Sequence, residues 1–139
     1  MPASAGNRSQ KLGKQKKLKA KIAFDHLFEH GSSMKVGVLK IFFALDPPMF
    51  QGPGTFQVAV AAPKRNFKRA VDRNFLKRRI REAFRLNQHI LDQPLQEKGQ
   101  RIIILFSYRH REKSDFDRIR RSMVKALHMI EQQIVEEKK

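Results

Sequence analysis

The chain has 139 residues, carries 30 Lys and Arg against 13 Asp and Glu for a net charge of +17, and contains no cysteine. That length suits one domain able to bury about two-thirds of its unfolded surface. Disulfides and thiolate metal sites are excluded, and a polyanion, either nucleic acid or an anionic membrane surface, is the expected partner.

Residues 1–17 are polar, contain Gly6 and Gly13, and carry only cations: Arg8, Lys11, Lys14, Lys16 and Lys17. They are expected to form a disordered basic arm, too poor in apolar surface to offset the entropy of ordering. Such an arm is either a solubilising tail or a phosphate contact. The N-terminus lacks the apolar stretch of a secretory signal and no apolar run approaches the ~20 residues of a membrane span, so a cytoplasmic location without membrane attachment is expected. The remainder, 18–139, is expected to be one folded unit.

From Leu18 to His30, Phe24, Leu27 and Phe28 share one face of a predicted short helix that Gly31 stops. Val36 to Leu45 is β-branched and aromatic, a predicted strand. Asp46 to Gly54 holds three prolines and two glycines and reads as a loop. Thr55 to Ala62 is a second strand, ended by Pro63. A long helix is predicted over Lys68 to Ile90, then a loop over Asp92 to Gln100 containing Pro94 and Gly99. Arg101 to Tyr108 is almost continuously apolar, a strand buried on both faces. Ser114, three residues before Asp117, is expected to cap a last helix whose Phe116, Ile119, Met123, Ala126, Leu127, Ile130 and Ile134 keep the 3.6 period. The order helix, strand, strand, helix, strand, helix predicts an α+β fold, a single small domain with one central sheet and three helices.

The chemistry concentrates in Lys64 to Arg85, where ten Lys or Arg face only Asp72 and Glu82. At about 100° per residue, Leu76, Ile80, Ala83 and Phe84 gather into one stripe that should meet the sheet. Asn74, Lys77, Arg78, Arg81 and Arg85 fill a neighbouring arc with no acid among them. Guanidinium forks suit phosphates, and Asn74 adds a donor and an acceptor for sugar or base edges. Lys64 and Arg65, at the end of a strand, can extend this patch. Arg73 projects near the apolar stripe, where a structural role competes with a binding one. Phe75 lies toward Val71 and reads as packing rather than as a platform for a base.

The run from Ala70 to Glu82 (AVDRNFLKRRIRE) resembles the signature of the bacterial ribonuclease P protein component, whose central helix carries a similar A-V-x-R-N-R-x-K-R-x-x-R-E segment. Phe24 to Gly31 is similar to that family's F-x-x-V-F-x-x-G first helix, and Val58 to Arg65 to its strand running into two lysines. Most of Leu18 to Leu127 matches in order. Three residues depart from the pattern. Phe75 stands where the family has the second arginine of R-N-R, and Ala59 and Pro63 replace a glycine and a serine.

The resemblance implies a protein subunit that helps a catalytic RNA remove the 5′ leader of precursor tRNA by hydrolysing one phosphodiester. The chemistry would rest on Mg²⁺ held mainly by RNA, with no catalytic or metal-binding side chain in the protein. Its partners would be the catalytic RNA and precursor tRNA, not DNA, and the protein would be a monomer without RNA. It implies that Arg69, Arg73, Asn74, Lys77, Arg78, Arg81 and Arg85 contact the catalytic RNA. Phe24, Phe28, Phe43, Lys64 and Arg65 would hold the leader in a cleft between the first helix and the sheet. A left-handed crossover at the basic helix is also implied, against the common rule. Aromatic platforms in a cationic groove are a general means of holding single-stranded RNA, contributing ~1–3 kcal/mol per stacked base. The residues alone leave those phenylalanines equally open to an ordinary core role.

His26 to His30 matches the H-x-x-E-H inverted zinc motif in form, but the helix stops at Gly31 and no third ligand follows, so a zinc hydrolase is disfavoured. The acids are too isolated for a two-metal site. A ribosomal or ribosome-assembly RNA-binding protein is the alternative. A DNA-binding module comes last, because strands rather than a second helix flank the basic segment.

Overall fold

The computed structural model describes residues 13–137, with side chains described from 21 to 134. Eight elements follow in order: α1 (Gly13–His30), β1 (Ser32–Val36), β2 (Leu39–Leu45), β3 (Phe56–Ala61), α2 (Ala70–Asn87), α3 (His89–Lys98), β4 (Ile102–Tyr108) and α4 (Phe116–Glu137). The α+β class and the single sheet are as expected. Helix α1 begins at Gly13, five residues ahead of the expected Leu18, and the rest of the expected arm, 1–12, lies outside the described residues.

The sheet order is β1-β2-β4-β3. Strand β2 pairs antiparallel with β1 and β4, whereas β3 runs parallel to β4, with Ala61 opposite Ser107. Antiparallel neighbours accept a tight turn, but a parallel pair needs a long crossover, here supplied by α2 and α3.

Sheet alternation sorts the apolar residues into two clusters. Ile41, Phe43, Ile102, Ile104 and Phe106 point to one face, where they join Leu76, Ile80, Ala83 and Phe84 of α2, Leu91 and Leu95 of α3, and the apolar stripe of α4. The four predicted α2 residues are the four that α2 buries. On the other face a smaller cluster of Leu27, Ala44, Ile103 and Leu105 seats α1, with Phe24, Phe42, Met49 and Phe50 half-buried around it.

Three expectations need correction. The strand placed at Val36–Leu45 is a hairpin: Val36 ends β1, and Gly37 and Val38 form the turn into β2. Gly37 has φ 57°, the conformation required at the first position of a two-residue hairpin turn. A Cβ there would also collide with the Ser122 hydroxyl, which accepts the Val38 N–H at 3.1 Å and donates to the Arg118 carbonyl. The loop placed at Asp92–Gln100 is mostly helix α3, making four helices rather than three. Leu91 and Leu95, one turn apart, are both fully buried, and that burial outweighs the helix-breaking tendency of Pro94. Helix α4 is capped by Asp115, whose Oδ1 accepts the Arg118 N–H at 2.9 Å. Ser114 is instead buried against the Tyr108 hydroxyl at 2.7 Å. Burial pushes the Tyr108 hydroxyl above its ordinary pKa, with the Ser114 bond opposing the shift.

Candidate nucleic-acid interface

Helix α2 presents the cationic arc on an outer surface beside the buried stripe. Asn74, Arg78 and Arg81 are exposed and Lys77 half-exposed, and none of the four makes a hydrogen bond or ion pair among the described residues. Their donors are therefore available to phosphates without breaking any internal contact.

The other three expected contacts have internal partners. Arg73 is half-buried, and its Nη1 donates to the Phe67 and Lys68 carbonyls at 2.9 Å each. It braces the turn entering α2, which is the structural role its position beside the apolar stripe had left open. Arg85 forks onto Glu82 at 3.0 and 2.7 Å, which holds the Glu82 carboxyl below its ordinary range and the guanidinium above its own. Arg69 precedes the helix and approaches Asp72 at 4.0 Å.

The aromatic face lies across the sheet. Phe24 stacks on Phe28 with ring centroids 6.4 Å apart, and Phe28 meets Phe42 edge-on at 5.1 Å. Phe28 is 57% exposed despite these contacts. Phe43, expected in this group, is 2% exposed on the opposite face within the large core, so Phe42 takes its place. The strand alternation carries the signal: Lys40, Phe42 and Ala44 share one face of β2, and a lysine among them marks that face as the more open. Lys40 Nζ sits 5.0 Å from the Phe42 ring centroid.

Across the strands, Lys40 is opposite Ser107, and Ser107 opposite Ala61, giving a row of short or flexible side chains beside α1. Two residues on, Arg109 lies past the end of β4 and donates to the Gly37 carbonyl at 2.8 Å. Arg65 and Asn66, following β3, face Arg109 and Arg111 around a cleft of about 610 Å³. Lys64 is exposed next to it. No acid lines this cleft. Arg109 and Arg111 were not singled out in the sequence, because they follow an apolar strand outside the basic run. Beside the small cluster, Arg101 lies over Phe50 at 5.0 Å, a second cation–aromatic pair.

His26 and His30 have ring centroids 5.1 Å apart, and among the described residues no group of three or more His, Cys, Asp or Glu could hold a metal. Nor is any helix there long and apolar enough to cross a membrane.

This is an α+β domain of a polyanion-binding class, with a cationic helix on one side of the sheet, an aromatic face on the other and a cationic cleft where the chain leaves β3 and β4. The Ribonuclease P family model matches residues 12–131. A ribonuclease P protein component from Porphyromonas gingivalis is 34% identical over 116 residues, covering 84% of this chain and 83% of the relative. One from Chlorobaculum tepidum is also 34% identical, over 109 residues, covering 75% of this chain and 71% of the relative. The solved RNase P protein from Thermotoga maritima superposes with a TM-score of 0.62 at 21% identity, covering 78% of this chain and 92% of that one. The chain belongs to the ribonuclease P protein family.

Proposed function

We propose that this chain is the protein subunit of ribonuclease P and assists a catalytic RNA in removing the 5′ leader from precursor tRNA. The observation that carries this reading is the pairing, within one family member, of an acid-free arc on α2 with a separate face where Phe24, Phe28 and Phe42 meet between α1 and β2. The arc of Asn74, Lys77, Arg78 and Arg81 supplies forks and point charges for the phosphates of the catalytic RNA. The aromatic face supplies stacking surfaces for unpaired leader bases at Phe24, Phe28 and Phe42, and the cations Lys40, Lys64, Arg65 and Arg109 serve the intervening phosphates. Each surface contacts one RNA, so the protein can hold the leader while its RNA partner cleaves, broadening the substrates used.

Mg²⁺ is assigned to the RNA in this reading. The protein's contribution is positioning and charge neutralisation.

The test is cleavage of precursor tRNA at low Mg²⁺ by the cognate catalytic RNA, with and without this protein, beside a protein-only control. Rescue of cleavage at the mature 5′ end, with the protein alone inactive, is expected. Failure to rescue would favour a ribosomal RNA-binding role, and cleavage by the protein alone would overturn the assignment of the chemistry to RNA.

A further inference from the structure

Beside the cationic arc, α2 carries a second strip that the preceding reading leaves unused. Phe75, Arg78, Arg79, Glu82 and Leu86 of α2 and Phe116 of α4 line a cleft of about 490 Å³. Within it the Arg79 guanidinium carbon lies 4.4 Å from the Phe75 ring centroid. Lys113 Nζ approaches the same ring at 5.5 Å while bonded to Asp72 at 2.7 Å. Arg79 makes no hydrogen bond or ion pair among the described residues, and its Nε is buried without a partner.

A guanidinium stacked on an aromatic ring gains cation–π attraction and loses mobility, but its in-plane N–H donors stay unsatisfied until an acceptor arrives. The direction of helical side chains adds a positional argument. They lean toward the helix N-terminus, so a residue covers the surface one turn before its own Cα. Arg79 therefore places its charge over position 75, where the family signature has an arginine and this chain has Phe75.

We propose that Arg79, held over the Phe75 ring in the cleft between α2 and α4, is a phosphate-contacting residue for the catalytic RNA, with Phe75 its positioning residue. The inference rests on the catalytic RNA being the partner of α2. The charges around the cleft favour a polyanion: Glu82 is taken by Arg85 and Asp72 by Lys113, leaving Arg78 and Arg79 as its unpaired charges. Arg78 belongs to both strips, so an RNA strand lying on the arc reaches the cleft without a gap.

The experiment is titration of the full chain with the cognate catalytic RNA over a range of salt, with thermal melts of each variant. Wild-type binding is the control for the partner itself: if the wild type fails to bind, the proposed function fails, whereas variant effects address Arg79 alone. Arg79→Gln should weaken binding about tenfold and lower the slope of log affinity against log salt by about 1. Phe75→Ala should cost a few-fold in the wild-type background and nothing further in the Arg79→Gln background. Phe75→Tyr should retain wild-type affinity. Phe75→Arg combined with Arg79→Gln restores a guanidinium at the family position and should recover most of the tenfold loss, a gain that damaged folding could not produce. Wild-type affinity and slope for Arg79→Gln would overturn the contact. Fully additive losses for the two single variants would overturn the positioning role.

Discussion

Phe28 of α1 meets Phe42 of β2 edge-on, with centroids 5.1 Å apart and planes at 89°, while 57% of Phe28 remains exposed. A ring that is braced by Phe24 and Phe42 yet still largely exposed can accept a base without first being reoriented, and the edge-to-face contact adds about 0.5–1.5 kcal/mol of its own. Phe28→Ala should therefore reduce the preference for precursor over mature tRNA by roughly fivefold or more, the loss of about one stacked base. Affinity for the catalytic RNA should stay near wild type. Parallel titrations with precursor tRNA, mature tRNA and catalytic RNA decide this, and equal losses in all three would refute the division between the two surfaces.

Phe42 and Phe43 are adjacent but should behave as different kinds of residue. Phe43→Ala opens a cavity in the large core and should cost about 3–5 kcal/mol of stability, read by denaturant unfolding. Phe42→Ala is expected to cost clearly less in unfolding and more in leader discrimination. The reverse order would place the cleft on the wrong face of the sheet.

Arg78→Ala and Arg81→Ala remove exposed cations that have no internal partner among the described residues. Each should weaken catalytic-RNA binding, flatten its salt dependence by about one unit of slope, and leave the melting temperature almost unchanged. Arg73→Ala should behave oppositely, lowering the melting temperature because the Phe67 and Lys68 carbonyls lose their shared donor. Salt titrations and melts of the three variants separate binding from bracing.

Asp72 ties the start of α2 to the segment before α4 through Lys113 at 2.7 Å. The Lys113 hydrogen bond holds its carboxyl below the ordinary 3.8. A depressed folded-state pKa gives stability that is present above the unfolded value and lost as pH falls through the folded one. Asp72→Asn should thus melt earlier than wild type at neutral pH, and the gap should close as pH drops below 3.8. Melts between pH 7 and pH 2 give the answer; a gap that does not change with pH would assign the effect to something other than this ion pair.

The large core was legible because it repeats: α2 and α4 carry apolar residues at helical spacing, and those positions are the buried ones except Phe116, which is half-buried. The cationic arc was legible for the complementary reason, since nothing packs on it. What escaped depended on contacts made far along the chain. Strand β1 begins with Ser32 and Ser33, which have little strand character alone and are ordered by pairing with Phe43 and Phe42. Helix α3 forms around Leu91 and Leu95 because α4 covers them, and the local proline misleads. The choice between Phe42 and Phe43 was available in the alternation of β2, with Lys40 as its marker. The cleft at Arg109 was not, because it needs the register of β4 against β2 and β3.

The two faces of the sheet are covered unequally, three helices on one side and α1 alone on the other, seated through Leu27, Ala44, Ile103 and Leu105. Displacing α1 would expose only this small cluster, whereas displacing a helix on the other side would open the large core. On the proposed function, a leader strand entering beneath α1 would work against only this small cluster and leave the packing under the cationic arc untouched. Gripping one RNA need not loosen the hold on the other.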